Sequence, residues 1–202
     1  PETLVVLGGE HSLSAGVARG MRRAGIEDFV TVHVDAHADL RDEYEGSPFS
    51  HACAARRIVE VAPIFQIGIR NISEGEERFR AKSKRVRTVF AEEALTSRAY
   101  LKDLAKFVRG KAVYFTIDLD GLDPAEMPSV GTPEPGGLSW AQLIEIARVV
   151  CREAKSLPVF DIVELAPIAG LKAPDFLAAK LAHKIIALAL YRGARARPKR
   201  RG

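Results

Sequence analysis

Cysteines, long apolar runs and targeting segments are scarce or absent in this sequence, and each absence excludes a class of protein. The 202 residues include only two cysteines, Cys53 and Cys151, which are far apart and form no C-x-x-C pair. This usage indicates a reduced, intracellular protein. No apolar run approaches the roughly 18 residues of a membrane helix, and no signal peptide is recognisable. We therefore expect a cytoplasmic protein with no membrane partner.

Neither sign of charge dominates the composition. Lys and Arg number 30 against 26 Asp and Glu, a net charge of +4, and residues 192–201 hold six of the basic residues and no acid. A basic tail can bind nucleic acid, but terminal residues are usually loose, so we expect a disordered or packing end and no nucleic-acid partner. The 47% hydrophobic and 28% charged residues fit one globular domain, placed at 1–191 with the tail at 192–202.

Strand-like and helix-like patterns alternate along the chain. Strands are predicted at 3–7, 29–34, 64–69, 86–90, 112–117 and 158–165, each followed by a helix, at about 12–24, 51–61, 74–82, 97–108, 139–153 and 174–191. Alternation of this kind predicts an α/β fold, with a mostly parallel central sheet between two helical layers. Ligands of such sheets bind outside the carboxyl ends of the strands.

Three predicted strands end in acids or histidines, in the sequences G-G-E-H-S, D-A-H-A-D and D-L-D-G-L-D-P. A solvated acidic loop would explain one such stretch alone. Carboxylates this close repel unless a cation holds them together, and carboxylates with imidazoles suit Mn²⁺, with Zn²⁺ or Fe²⁺ possible. Six ligands exceed the four or fewer of an ordinary zinc site and fit two metals with bridging carboxylates. The candidate ligands are His11, Asp35, His37, Asp39, Asp118 and Asp120.

These three motifs, with G-T-P-E-P-G-G-L at 131–138 and D-I-V-E-L-A-P at 161–167, are very similar to the signatures of the ureohydrolase superfamily, which contains arginases and agmatinases. The resemblance covers nearly the whole chain, in order. It implies an arginase-like fold in which the strands ending at His11, Glu164, Asp120 and Asp35 lie side by side in that order. Members of the family have further strands before this point, so we expect N-terminal strands that are missing here.

The resemblance also implies a binuclear manganese centre that hydrolyses a guanidinium group to urea and an amine. One Mn²⁺ takes His11, Asp35, Asp39 and Asp118; the other takes Asp35, His37, Asp118 and Asp120, so that Asp35 and Asp118 bridge. It implies homo-oligomers, trimers or hexamers. Two other functions stay open: a one-zinc amide hydrolase of the histone-deacetylase type on the same architecture, and a non-catalytic metal-binding homologue.

Further residues take their expected roles from the same resemblance. Asp39 passes a proton to the leaving amine, and His51 in F-S-H-A is the proton shuttle, a common role of histidine side chains. Glu164 makes a charge-assisted pair with the substrate guanidinium, with Thr132 assisting. His33, one residue outside the ligand set, is expected to pack beside the ligands or to support one.

The substrate is expected to be agmatine, which would yield urea and putrescine. In I-G-I-R-N, Asn71 stands where arginases show an Asp that would bind an α-ammonium, which counts against arginine. The loop acids Asp42, Glu43 and Glu45 could favour a cationic or neutral tail without a carboxylate, or could simply be solvated. Arginine, guanidinobutyrate and other guanidino compounds stay open.

Overall fold

The computed structural model describes the backbone of residues 2–196 and the side chains of residues 2–191. Strands and helices alternate along this part of the chain. They are β1 (Leu4–Leu7), α1 (Leu13–Arg23), β2 (Phe29–Val34), α2 (Ala54–Val61), β3 (Ile64–Ile69), α3 (Glu74–Lys82), β4 (Val86–Phe90), α4 (Ala91–Thr96), α5 (Tyr100–Val108), β5 (Ala112–Asp118), α6 (Trp140–Glu153), β6 (Ser156–Val163) and α7 (Ala173–Ala196). Short 3₁₀ turns lie directly before α2, at His51–Cys53, and directly after β5, at Leu119–Gly121.

The six strands form one parallel sheet in the order β1-β6-β5-β2-β3-β4. The predicted parallel sheet, and the predicted neighbours β1, β6, β5 and β2, are confirmed. All six residues of β2 and of β3 are buried, as expected of strands covered on both faces. β1 lies at an edge, and its Leu4 and Leu7 are exposed.

Two apolar clusters cover the two faces of the sheet. Alternate residues of β2 point into different clusters, as the two-residue repeat of a strand requires: Val30 and Val32 pack into one, and Phe29 into the other. The first cluster includes residues of α5, α6 and α7, and the second includes residues of α1 and α2. The predicted three-layer arrangement of helix, sheet and helix is therefore confirmed.

Several predicted boundaries differ from the structure. β6 begins at Ser156 and ends at Val163, so Glu164 lies just after the strand rather than in it. Residues before the predicted fourth helix form a separate helix, α4. α7 continues to Ala196, so the first five residues of the predicted basic tail are helical, while 197–202 lie outside the described residues. None of the described helices is both long and apolar enough to cross a membrane.

Candidate metal centre

The predicted metal ligands meet because adjacent parallel strands end together. Val34 of β2 pairs with Ile117 of β5, so the next residues, Asp35 and Asp118, lie side by side where the two strands end. Gly121 in the following turn permits this approach: a Cβ there would lie 2.8 Å from Val34 Cγ1 and 2.9 Å from the Asp35 backbone nitrogen. A side chain at position 121 would therefore push the two strand ends apart.

One group of ligands surrounds the ring of His11. The imidazole Nδ1 lies 3.1 Å from Asp35 Oδ2, 3.3 Å from Asp39 Oδ2 and 3.1 Å from Asp118 Oδ2. All four side chains are buried. Asp39 has a left-handed backbone, φ 52°, a conformation that costs a non-glycine residue free energy and is found at functional sites.

A buried chain of hydroxyl groups fixes the other nitrogen of this imidazole. The Ser14 hydroxyl donates to Asp161 Oδ2 at 2.9 Å, and the Thr116 hydroxyl donates to Ser14 Oγ at 3.3 Å. Thr116 Oγ1 therefore accepts from His11 Nε2, 3.0 Å away, and we assign the ring proton to Nε2. Tyr114 also donates its hydroxyl to Asp161. In the neutral ring, Nδ1 is left with a lone pair directed at anionic oxygens.

That lone pair is the strongest sign of a cation at this place. His11 Nδ1 is buried and has no hydrogen-bond partner, although three carboxylate oxygens lie within 3.3 Å. A lone pair facing three anions is repulsive, and a buried unpaired polar atom is costly. A divalent cation among the four groups would satisfy all of them. The donor set, one imidazole and three carboxylates, fits such an ion.

A second group lies beside the first and shares Asp35. His37 Nδ1 is 3.0 Å from Asp120 Oδ2 and 3.6 Å from Asp35 Oδ1. Asp35, His37 and Asp120 can each direct one ligand atom into a common space. Asp120 is held in place from two sides, since its Oδ1 accepts from the Ala36 backbone nitrogen at 3.1 Å and its Oδ2 accepts from Thr132 Oγ1 at 3.0 Å.

The acids of this centre require positive charge close by. Burial raises the pKa of Asp118 well above its ordinary value, and the charges of Asp35 and Asp120 act in the same direction. Burial, followed by the charge of Asp35, raises the pKa of Asp39 to about 6. Burial lowers the pKa of His37, but hydrogen bonds to Asp120 and Asp35 outweigh it and raise this pKa to about 11. Protons or metal cations must therefore neutralise the cluster.

A cleft of about 400 Å³ opens above the two groups. It is lined by every predicted metal ligand except Asp35, which lies beneath, and by the four other predicted site residues, His51, Asn71, Thr132 and Glu164. The loops after five neighbouring strands thus bring all predicted site residues to one place. The position outside the carboxyl ends of the strands is the expected one for this class of sheet.

Glu164 lies at the side of the cleft nearest His11. Its Oε1 accepts from the His11 backbone nitrogen at 2.7 Å, and its φ of 66° turns the chain away from β6. Gly131 stands opposite, where a Cβ would lie 4.0 Å from Glu164 Oε2. Burial raises the pKa of Glu164. One carboxylate oxygen is thus held by the backbone and the other faces a glycine.

Two predicted substrate-binding residues already have protein partners. Thr132 donates to Asp120, a candidate metal ligand, rather than to Glu164. Asn71 Nδ2 donates to Glu134 Oε1 at 2.6 Å, and Glu134 Oε1 lies 3.9 Å from His37 Nε2. Both residues line the cleft, yet both also support its floor.

The outer wall of the cleft comes from the loop at 41–51. His51 is exposed, and its ring meets the Tyr44 ring edge-on at 5.7 Å. The Arg41 guanidinium lies 5.1 Å from the centre of the same tyrosine ring. No motif or periodicity in the sequence singles out Arg41 and Tyr44. Their place in the chain, between Asp39 and His51, is the signal that points to them.

The loop acids are arranged differently from the expectation that they face the substrate. Asp42, Glu43 and Glu45 are exposed and lie outside the residues that line the cleft. Asp42 Oδ1 instead accepts from Arg57 Nη2 at 2.7 Å, and this pair lowers the pKa of Asp42. Of the two alternatives for these acids, the solvated one describes the structure.

The signature of the arginase family matches residues 1–188. The chain belongs to the arginase family. It is 39% identical over 184 residues to an N(1)-aminopropylagmatine ureohydrolase of Synechocystis sp., a match that covers 91% of this chain and 60% of that protein. It is 34% identical over 165 residues to an agmatinase of Bacillus subtilis, covering 80% of this chain and 55% of that one.

Solved structures agree with this membership. The agmatine ureohydrolase of Thermoplasma volcanium superposes with a TM-score of 0.83 at 31% identity, over 97% of this chain and 65% of the other. An arginase from Medicago truncatula superposes with a TM-score of 0.77 at 31% identity, over 92% and 59%. This arginase-family chain spans about 60% of the length of the relatives that it matches.

Proposed function

We propose that the chain forms the catalytic part of a binuclear manganese ureohydrolase that cleaves agmatine to urea and putrescine. The observation that carries the proposal is the buried, unpartnered Nδ1 of His11, which faces three carboxylates under a cleft that also presents Glu164. Membership of the arginase family supports the reaction class. Relatives named agmatinase support the substrate.

Two Mn²⁺ ions would be held by the groups described above. His11, Asp35, Asp39 and Asp118 would hold one, and Asp35, His37, Asp118 and Asp120 the other. The preponderance of carboxylate oxygen favours manganese over zinc. Two cations at this place would supply a water activated at neutral pH.

The chain's own residues would bind the substrate and move protons. Glu164 would accept hydrogen bonds from the guanidinium, with a charge-assisted strength that suits a half-buried carboxylate. Asp39 would pass a proton to the leaving amine, from its position beside His11 in the lining of the cleft. His51, at the exposed wall, would exchange that proton with solvent.

A second substrate, N(1)-aminopropylagmatine, is also a candidate. Two relatives of that name, from Synechocystis sp. and Thermus thermophilus, are each 39% identical to this chain over more than nine-tenths of its length. The cleft volume of about 400 Å³ leaves room for a tail that extends beyond the floor. The two substrates share the guanidinium end and therefore the chemistry proposed above.

The decisive experiment measures urea release and bound metal together, with agmatine, N(1)-aminopropylagmatine and arginine compared side by side. Urea from either of the first two, with two Mn²⁺ per chain, supports the proposal and selects the substrate. Urea from arginine alone would support the proposed reaction and refute the proposed substrate. One zinc per chain, or two Mn²⁺ with no urea from any guanidino compound, would instead favour the one-zinc hydrolase or the non-catalytic homologue.

We further propose a cytoplasmic homo-oligomer, a trimer or hexamer, with residues 1–191 as one domain. Sedimentation of the Mn²⁺-loaded protein tests the assembly, and a monomer at micromolar concentration would contradict it.

A further inference from the structure

Beneath Asp35, polar side chains cross the interior of the sheet where apolar ones would be expected. His33 of β2 pairs in register with Gln66 of β3, and Gln66 pairs with Thr88 of β4. His33 and Gln66 are fully buried, in strands that are otherwise mainly apolar. Buried polar groups of this kind are costly unless they are hydrogen-bonded.

The hydrogen bonds show which group donates and which accepts at each step of this row. Gln66 Nε2 lies 2.7 Å from the Ala38 carbonyl, which can only accept, and Gln66 Oε1 accepts from Thr88 Oγ1 at 3.1 Å. The amide nitrogen therefore also faces His33 Nδ1, 3.0 Å away, and donates its second hydrogen to it. Nδ1 must accept, so the ring proton of His33 belongs on Nε2.

His33 Nε2 in turn lies 2.7 Å from Asp35 Oδ2. The other oxygen, Oδ1, accepts from the His37 backbone nitrogen at 2.6 Å. Each oxygen of Asp35 thus receives one hydrogen bond from the protein, and the carboxylate is held in one orientation. Asp35 is the residue that the two ligand groups share.

We propose that His33 is a positioning residue: with its tautomer set by Gln66, it orients the carboxylate of Asp35 for two cations. This role rests on the proposed metal centre. Its nearness to the first group, with its ring centre 5.1 Å from that of His11, would also allow it to be a ligand. However, both of its ring nitrogens already have protein partners, and it lies outside the residues that line the cleft.

The tautomer can be observed directly in the unmodified chain by ¹⁵N NMR of histidine-labelled protein. Only five histidines are present, and His33→Gln identifies the signals of His33. We expect an unprotonated Nδ1 and a protonated Nε2, both without metal and with added Zn²⁺ as a diamagnetic probe. A protonated Nδ1, or a Zn²⁺-bound Nε2, would overturn the proposal. This result is independent of whether the protein hydrolyses agmatine.

Manganese affinity tests the consequence for Asp35, with free Mn²⁺ followed by EPR. The amide nitrogen of His33→Gln can reach the place of Nε2, whereas that of His33→Asn reaches only the place of Nδ1. We expect His33→Asn to weaken Mn²⁺ binding by about 10–100-fold and His33→Gln to lose clearly less. Equal losses, or none in a folded His33→Asn variant, would contradict the proposal. If His33→Asn does not fold, the NMR result on the unmodified chain decides. Wild-type protein that binds no Mn²⁺ would refute the metal centre and not the tautomer.

Discussion

The floor of the cleft consists of side chains that are almost wholly buried, whereas its outer wall is an exposed loop. Asp35, Asp118 and Asp120 are at most 3% exposed, and backbone nitrogens or hydroxyls donate to all three. On the wall, His51 is exposed, and its ring meets the Tyr44 ring edge-on and lies 3.5 Å from the Ser50 hydroxyl. A rigid floor suits an ion, which tolerates little misplacement. An exposed wall suits proton exchange and the selection of a substrate tail.

The largest effect is expected from a change in the floor. Asp118→Asn replaces one oxygen of a carboxylate that both cations would share with an NH2 group and removes its charge, so Mn²⁺ affinity should fall by more than the roughly 100-fold that the loss of a supporting residue costs. Urea release should be lost with it. Asp103→Asn, an exposed acid of α5, is the matched control and should change neither quantity. Unchanged Mn²⁺ binding in Asp118→Asn would remove Asp118 from the centre.

A change in the wall should separate catalysis from metal binding. His51→Asn is expected to lower kcat roughly 100-fold, within the usual range for a proton-transfer group, while Mn²⁺ occupancy stays at the wild-type level. Added imidazole should restore part of the rate because the site is open to solvent. His183→Asn, which changes an exposed histidine of α7, is the control. A loss of metal in His51→Asn would mean that the wall also contributes to metal binding.

The spacing of the floor can be tested without removing a ligand. The Cβ of Gly121→Ala would lie 2.8–2.9 Å from Val34 and Asp35, so the ends of β2 and β5 must separate. We expect a loss of about 1–3 kcal/mol in the free energy of unfolding of the metal-free protein, together with weaker Mn²⁺ binding. Gly75→Ala, where a Cβ meets nothing within 4 Å, is the control for stability. Wild-type affinity in Gly121→Ala would show that the floor tolerates movement.

The same contrast explains what the sequence could and could not predict. The fold and the convergence of the candidate ligands follow from local patterns, because a parallel sheet brings every strand end to the same edge. Predicting that Asp35 and Asp118 lie close together required only the positions of two strands. The positions of Arg41 and Tyr44 depend on the path of a loop, which no periodicity encodes. For the same reason, the pattern predicts that Thr132 assists Glu164 in binding the substrate but gives no sign of its hydrogen bond to Asp120.

Buried polar residues form an intermediate case. His33 and Gln66 stand out in the sequence as polar residues inside apolar strands, which indicates that they need partners. Their register across β2 and β3 decides which partners those are, and register follows from the sheet order rather than from either strand alone. Glu164 is similar: its side chain stands out after an apolar run, but the predicted strand at 158–165 includes it, whereas it lies just after β6 with a left-handed backbone, and its nitrogen donates to the Gly9 carbonyl.

The smallest effect is expected at the loop acids. Asp42→Asn removes the exposed pair with Arg57, which lowers the pKa of Asp42. A lowered folded-state pKa stabilises the fold above the unfolded value of about 3.9 and loses that contribution as the pH falls further. The melting temperature of Asp42→Asn should therefore be slightly below wild type at pH 7, should approach it at pH 3, and should differ less in high salt. Glu43→Gln, on the same loop, controls for general charge.

Because these acids lie outside the cleft, KM for agmatine should not change in either variant. A higher KM in Asp42→Asn would instead indicate that this acid interacts with the substrate, and the substrate-binding surface would then extend beyond the cleft wall.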